Sequence, residues 1–150
     1  MINVNRIGKP GAALASLVVA LGMLAGCNKG ADKAPPREAA GASKGVGPVQ
    51  SLSLAALDAG LAAQGEKLFS GTCAACHKFD QRYVGPALSG VTRRRAPEWI
   101  MNMILNPAEM TQKDETAKAL LGEYLTQMSV NVKQEDARAI LEYFRKMDGT

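Results

Sequence analysis

The chain has 150 residues, room for one ordinary domain. Its formal net charge is +4, and Arg6 and Lys9 near the start supply two of those charges, so what remains is too mildly basic to indicate a nucleic-acid partner. Its one histidine, His77, excludes bis-histidine ligation, any multi-histidine metal site, and any Ser-His or Cys-His catalysis that does not use it.

Residues 1–26 read as an export signal. Arg6 and Lys9 form a positive start, and the apolar stretch from Ala12 to Leu24 is too short to span a bilayer comfortably. The stretch ends in Leu24-Ala25-Gly26-Cys27, which resembles the lipobox of bacterial lipoproteins. That resemblance implies cleavage before Cys27 and lipidation of its thiol, with the protein held at the periplasmic side of the inner or the outer membrane. Each acyl CH₂ buried in lipid contributes about 0.8 kcal/mol, so several chains on one cysteine anchor firmly. The competing reading is an ordinary signal peptide with a stray cysteine.

Residues 27–57 are then expected to form the lipidated N-terminus and a flexible linker. From 28 to about 52 the composition is dominated by Ala, Gly, Pro, Lys and Ser, with Pro35-Pro36 and Gly45-Val46-Gly47-Pro48. So few core-forming side chains predict disorder. A flexible tract of about 25 residues has a root-mean-square span of roughly 25–30 Å.

The remainder, 58–150, reads as one all-α domain of about four helices. Ala56, Leu57, Leu61, Leu68 and Phe69 recur at helical intervals, with Gly71 as a stop. Gly65 interrupts that helix at a cost of about 1 kcal/mol against Ala, which makes sense if a second helix crosses there at close range. A loop rich in Gly and Pro follows from Lys78 to Thr92. A second helix fits Pro97 to Asn106, ended by Asn106-Pro107, with Trp99, Ile100, Met103 and Ile104 on one face. A third runs from Asp114, as N-cap, to about Thr126, with Ala117, Leu120, Leu121 and Tyr124 inward. A last helix from about Gln134 to Met147 carries the apolar stripe Ala137, Ile140, Leu141, Phe144 and Met147, with Tyr143 beside it. No strand pattern competes, and no internal repeat is visible.

Between the first two helices stands Cys73-Ala74-Ala75-Cys76-His77, an instance of C-x-x-C-H. This is the sequence form of a c-type haem attachment site. Two thiols that add across the two vinyl groups of one haem must lie a short, fixed distance apart. The next residue, His77, is then placed to be the proximal iron ligand. With Cys27 assigned to lipid and Cys73 and Cys76 to haem, the odd cysteine count needs no disulfide.

With these elements in place, residues 58–148 resemble a class I cytochrome c. Gly65 and Phe69 precede Cys73 at the family's intervals, Ile140, Tyr143 and Phe144 stand in the last helix, and Gly85-Pro86-Ala87-Leu88 matches the family's Gly-Pro-x-Leu. The resemblance implies a cytochrome c fold around one covalent haem c. It implies that the Pro86 carbonyl accepts the Nδ1 proton of His77, fixing ring and tautomer. It also implies a methionine as distal iron ligand, on a loop just before the last helix. Met128 meets that condition, while Met110, before the third helix, is the second candidate. Met101 and Met103 lie inside a helix and read as packing residues. Two features depart from the family: Gln127 stands where many relatives have proline before the methionine, and Lys133 stands where an N-cap Ser or Thr is common.

By the same resemblance the protein is no enzyme but a membrane-tethered carrier of single electrons. Its partners would be a cytochrome c reductase, a terminal oxidase or a periplasmic reductase, with no role for nucleic acid. Trp99 reads as haem-pocket packing, with propionate bonding the alternative, and Arg82 and Tyr83 lie within sequence reach of a propionate. Arg93-Arg94-Arg95, with Lys78 and Arg82, forms either a docking surface for an acidic partner or a solvated basic loop. Two other functions stay open. A five-coordinate haem sensor or small-gas binder follows if Met128 does not ligate. A thiol-redox or zinc protein could use Cys73 and Cys76, although zinc would lack a fourth ligand and no βαβ pattern is present.

Overall fold

The computed structural model describes residues 43–150. The expected export signal, Cys27 and the linker as far as residue 42 lie outside the described residues. Those described form six helices and no strand. They are α1 (Ala59–Thr72), α2 (Val91–Arg94), α3 (Pro97–Leu105), α4 (Pro107–Lys113), α5 (Glu115–Tyr124) and α6 (Gln134–Asp148). None is long and apolar enough to cross a membrane.

The most extensive helix–helix contact joins α1 to α6. Gly65 makes it possible: a Cβ built there would fall on the backbone carbonyl of Ala139, so only glycine lets the two helices approach this closely. Phe69 then meets Tyr143 and Phe144 with ring centroids 5.6 and 5.8 Å apart. Phe79, from the expected loop, joins them at 5.3 Å from Phe69 and 5.4 Å from Tyr143. Tilted and edge-on rings at such spacings add about 0.5–1.5 kcal/mol per pair beyond burial.

Several boundaries differ from those expected. Helix α1 starts at Ala59, capped by Asp58, whose carboxylate accepts the Leu61 N–H at 2.9 Å. Ala56 and Leu57 therefore precede it and are exposed, and Ala62 and Gly65 supply the buried side instead. The helix also runs through Gly71 to Thr72. Met147, placed on the inward stripe of α6, is 48% exposed. Two helices escaped notice. Asn106-Pro107 both ends α3 and begins α4, because Pro107 suits a first helical turn as well as it ends the helix before it. The four-residue α2 is capped from a distance: Asp148, at the end of α6, accepts from the N–H groups of Gly90 and Thr92 at 2.6 and 2.9 Å.

The largest difference lies at the start. Residues 43–57, expected as flexible linker, lie along the helices as an irregular strap, so the folded unit takes in residue 43 rather than starting at 58. Side chains satisfy its backbone. Asn102 accepts from the Val49 N–H and donates to the carbonyls of Lys44 and Val49, each at 2.9 Å. Glu98 accepts the Leu52 N–H at 3.2 Å and pairs with Lys44 at 3.3 Å. The sulfur of Met110 accepts the Val46 N–H at 2.9 Å, and Ser43 donates to Asp114 at 2.7 Å. The glycines that read as flexible permit close approach instead. Gly45 has φ +74°, and a Cβ there would lie 2.6 Å from Met110 Sδ.

Farther along, fully buried Glu142 accepts the Asp58 N–H at 2.9 Å and pairs with Arg145 and Arg138. Arg145 in turn donates to the carbonyl of Ala55 at 3.0 Å. Burial alone would raise the Glu142 carboxyl, but the Asp58 N–H and the two guanidinium groups outweigh it and hold it below its ordinary value.

Candidate haem site

The last turn of α1 delivers the Cys-x-x-Cys-His segment. The N–H groups of Cys73 and Ala74 bond to the Phe69 carbonyl at 2.8 and 2.9 Å, and those of Cys76 and His77 to the Cys73 carbonyl at 3.0 Å. This turn-by-turn winding puts two residues three apart on one side. Both thiols are free, Cys73 half-buried and Cys76 exposed. Burial, and then the neighbouring Cys76, push the Cys73 thiol up, so it is held as the neutral S–H.

His77 is fixed by the fold-back that follows. The Gly85 N–H bonds to the Cys76 carbonyl at 2.9 Å, and Leu88 and Ser89 donate to the carbonyls of Lys78 and Phe79 at 3.0 and 2.9 Å. This brings the Pro86 carbonyl to 3.3 Å from His77 Nδ1. A carbonyl can only accept, so the contact places the ring proton on Nδ1 and leaves the Nε2 lone pair free. Gly85 lies against the ring: a Cβ there would come within 2.8 Å of Nδ1. Burial lowers the imidazole's affinity for a second proton, against a smaller opposing effect of the Pro86 carbonyl. The ring is therefore neutral, as a metal-binding imidazole must be.

His77, Cys73 and Cys76 face a cleft of about 360 Å³. Such a volume is within the range of small-molecule and cofactor clefts, about 300–1,000 Å³. Apolar side chains line most of it, among them Phe69, Leu88, Ile100, Ile104, Ile140 and Phe144. The segment after α5 closes it with Thr126, Gln127, Met128, Ser129 and Val130. The structure thus brings Met128 to the same cleft as His77. Met110 is not among its lining residues: it is fully buried in α4, and its sulfur is engaged by the strap. Met101 is buried in the core, while Met103 lines the cleft from α3.

Charged side chains also line the cleft. Arg94 and Arg95 both line it, Arg95 only 8% exposed. Arg94 bonds to the carbonyls of Ser89 and Ala87, and burial and the adjacent Arg95 lower its pKa. The expected basic patch is therefore not an exposed triplet, since only Arg93 stands in solvent. Trp99 lines the cleft with its ring, yet its indole N–H donates to Asp114 at 3.0 Å and is not directed to a ligand. Arg82 and Tyr83 lie outside the lining. Arg82 instead bonds to Glu123 at 2.8 Å and stacks 4.1 Å over Tyr124.

The donor set fits a covalently attached haem: two free thiols on one turn, a neutral imidazole with its outer nitrogen free, an apolar cleft, and guanidinium groups for two carboxylates. It does not fit zinc, since no group of three or more His, Cys, Asp or Glu among the described residues could hold a metal ion. Sequence reasoning missed Gly85 as the seat of the ring, and missed Arg94 and Arg95 as cleft residues. The signal for the arginines was their position directly before the Trp99 helix, which turns two of the three inward.

Comparison with known proteins gives one family match, to cytochrome c over residues 62–148. Among solved structures, a cytochrome c from Rhodothermus marinus is 50% identical with a TM-score of 0.68, covering 69% of this chain and 90% of that one. An engineered cytochrome c from the same organism, bound to a carbene intermediate, is 48% identical with a TM-score of 0.65, covering 69% of this chain and 92% of its own. A second structure of that engineered protein has a TM-score of 0.66 at 48% identity, with the same coverage. Curated protein sequences gave no match.

Proposed function

The chain belongs to the cytochrome c family, with one covalently attached haem c, and we propose that it is a lipid-anchored carrier of single electrons between respiratory partners. When bound, the haem supplies one-electron chemistry, its iron alternating between Fe(III) and Fe(II). The rest is work for this chain's side chains. Cys73 and Cys76 offer their sulfurs to the two vinyl groups. His77, held by Pro86 and Gly85, offers Nε2 as the proximal ligand. Met128, from the opposite segment, offers its thioether as the distal ligand. Arg94 and Arg95, which line the same cleft, would hold the carboxylates of the haem. The apolar lining excludes water and favours the iron state of lower charge, which raises the potential.

The single observation that carries this reading is that Cys73, Cys76, His77 and Met128 line one cleft. If His77 and Met128 both held the iron, no site would remain for substrate or gas. The ferrous protein should therefore not bind carbon monoxide, and a potentiometric titration should follow a one-electron curve. Carbon monoxide binding by the wild-type ferrous protein would instead establish a five-coordinate sensor.

The anchor rests on the sequence Leu24-Ala25-Gly26-Cys27 behind a positively charged, apolar leader. It places the domain in the periplasm, on the inner or the outer membrane, within reach of a cytochrome c reductase, a terminal oxidase or a periplasmic reductase. Cys27→Ala should move the haem protein from the membrane fraction to the soluble one. Equal membrane retention of wild type and variant would remove the lipid from the account.

A further inference from the structure

Resting on the reading that Met128 is the distal ligand, we propose that Gln127 positions it, by clamping the ligand segment to Thr111 of α4. Between Leu125 and Lys133 the backbone makes no internal bond that could hold Met128 in place. Among the described residues, the hydrogen bonds that reach residues 126–132 run through the Gln127 side chain alone. Its Nε2 donates to the carbonyl of Met128 at 3.1 Å, and its Oε1 lies 2.9 Å from Thr111 Oγ1.

The amide's orientation follows from these partners. Turned over, it would set Oε1 against the Met128 carbonyl, two acceptors facing each other. With Nε2 on that carbonyl, Oε1 can only accept, so the Thr111 hydroxyl is the donor. Thr111 Oγ1 also lies 2.9 Å from the Pro107 carbonyl and 3.1 Å from the Ala108 carbonyl of its own helix, so its single proton is shared among these acceptors. The anchor is rigid. Thr111 is 8% exposed, and its neighbour Met110 is fully buried and carries the strap on its sulfur. Gln127 thus links a fixed wall to the backbone of the ligand residue itself.

The consequence is a bias on one equilibrium, between Met128 on the iron and Met128 released. An added ligand such as imidazole binds only the released state, so its apparent affinity scales with that state's population. In the exchange the iron–sulfur bond breaks, an iron–nitrogen bond forms, and no electron is transferred. A solvated hydrogen bond of ordinary strength corresponds to about a 3- to 10-fold change in population.

The test is imidazole titration of the ferric holoprotein, followed by absorption. Gln127→Ala and Thr111→Val should each bind imidazole about 3- to 10-fold more tightly than wild type. Thr111→Ser, which keeps the hydroxyl, should match wild type, and the double variant should bind no more tightly than Gln127→Ala, because both changes remove one link. Wild-type affinity in Gln127→Ala overturns the proposal, even if Thr111→Val fails to fold, since Gln127 is exposed and its loss costs the core nothing. Met128→Ala separates the two levels. If it tightens imidazole binding while Gln127→Ala does not, the clamp is wrong and the ligand reading stands. If it changes nothing, the ligand reading itself falls.

Discussion

Between Cys73 and Ser89 the backbone bonds to itself at turn after turn, and His77 is gripped by a carbonyl on one side and a glycine on the other. Between Leu125 and Lys133, on the facing wall of the cleft, there is one left-handed residue, Leu125 with φ 52°, and then a segment whose hydrogen bonds, among the described residues, run through a single glutamine side chain. The first wall is specified by contacts within about a dozen residues. The second depends on where α4 happens to pass. On the ligation proposed above, a cleft built this way would pair one fixed ligand with one adjustable ligand, and the distal bond could be altered without disturbing the fold.

The largest expected effects come from breaking the fixed wall or the α1–α6 crossing behind it. Cys73→Ser with Cys76→Ser should leave no covalent haem, read as complete extraction of the pigment by acidified acetone; retained pigment would contradict the assignment. Gly65→Ala should cost about 3 kcal/mol or more, because the added carbon meets backbone at Ala139 and not a movable side chain. A fall in Tm of more than about 10 °C is the corresponding reading for a domain of this size. Gly85→Ala is a sharper probe, since it displaces the imidazole and little else. It should weaken the proximal bond and shift the potential with only a modest loss of Tm. An unchanged potential would show that the ring does not need its glycine seat.

The smallest expected effect lies outside both walls, in the strap. The carboxyls of Glu98, Asp114 and Glu142 all lie below their ordinary values. In each, burial acts in the raising direction, and hydrogen bonds, with ion pairs at Glu98 and Glu142, outweigh it. A carboxyl depressed in the folded state contributes stability above its unfolded pKa, about 4, and loses it as pH falls through the lower folded value. Urea midpoints should therefore be level from about pH 7 to 5 and fall below about pH 4. Glu142→Gln should flatten that acid limb. A midpoint independent of pH down to 3 would contradict the role given to these groups.

Legibility in the sequence followed the same division. Gly65, the Cys73–His77 turn and the α6 positions Ala137, Ile140, Leu141 and Phe144 are local or periodic signals, and all can be read directly. The Asp114 cap of α5 is likewise local: its carboxylate accepts the Ala117 N–H at 2.9 Å. What escaped was held from a distance. The strap reads as linker because Gly45, Gly47 and Pro48 look flexible, while the groups that order it, Asn102, Glu98 and Met110, lie more than forty residues away. Helix α2 is capped by Asp148, 58 residues beyond Gly90. The departure at Gln127 from the proline that the family resemblance leads one to expect shows no structural purpose in the sequence until Thr111 is seen beside it. No local pattern reveals a side chain whose partner is distant in sequence.

The most direct measurement is the red-region methionine-to-iron charge-transfer band of the ferric holoprotein, in wild type and in Met128→Ala. The band should be present in wild type and absent in the variant, whose ferrous form should then bind carbon monoxide. An unchanged low-spin spectrum in Met128→Ala would contradict the two-walled site at its centre.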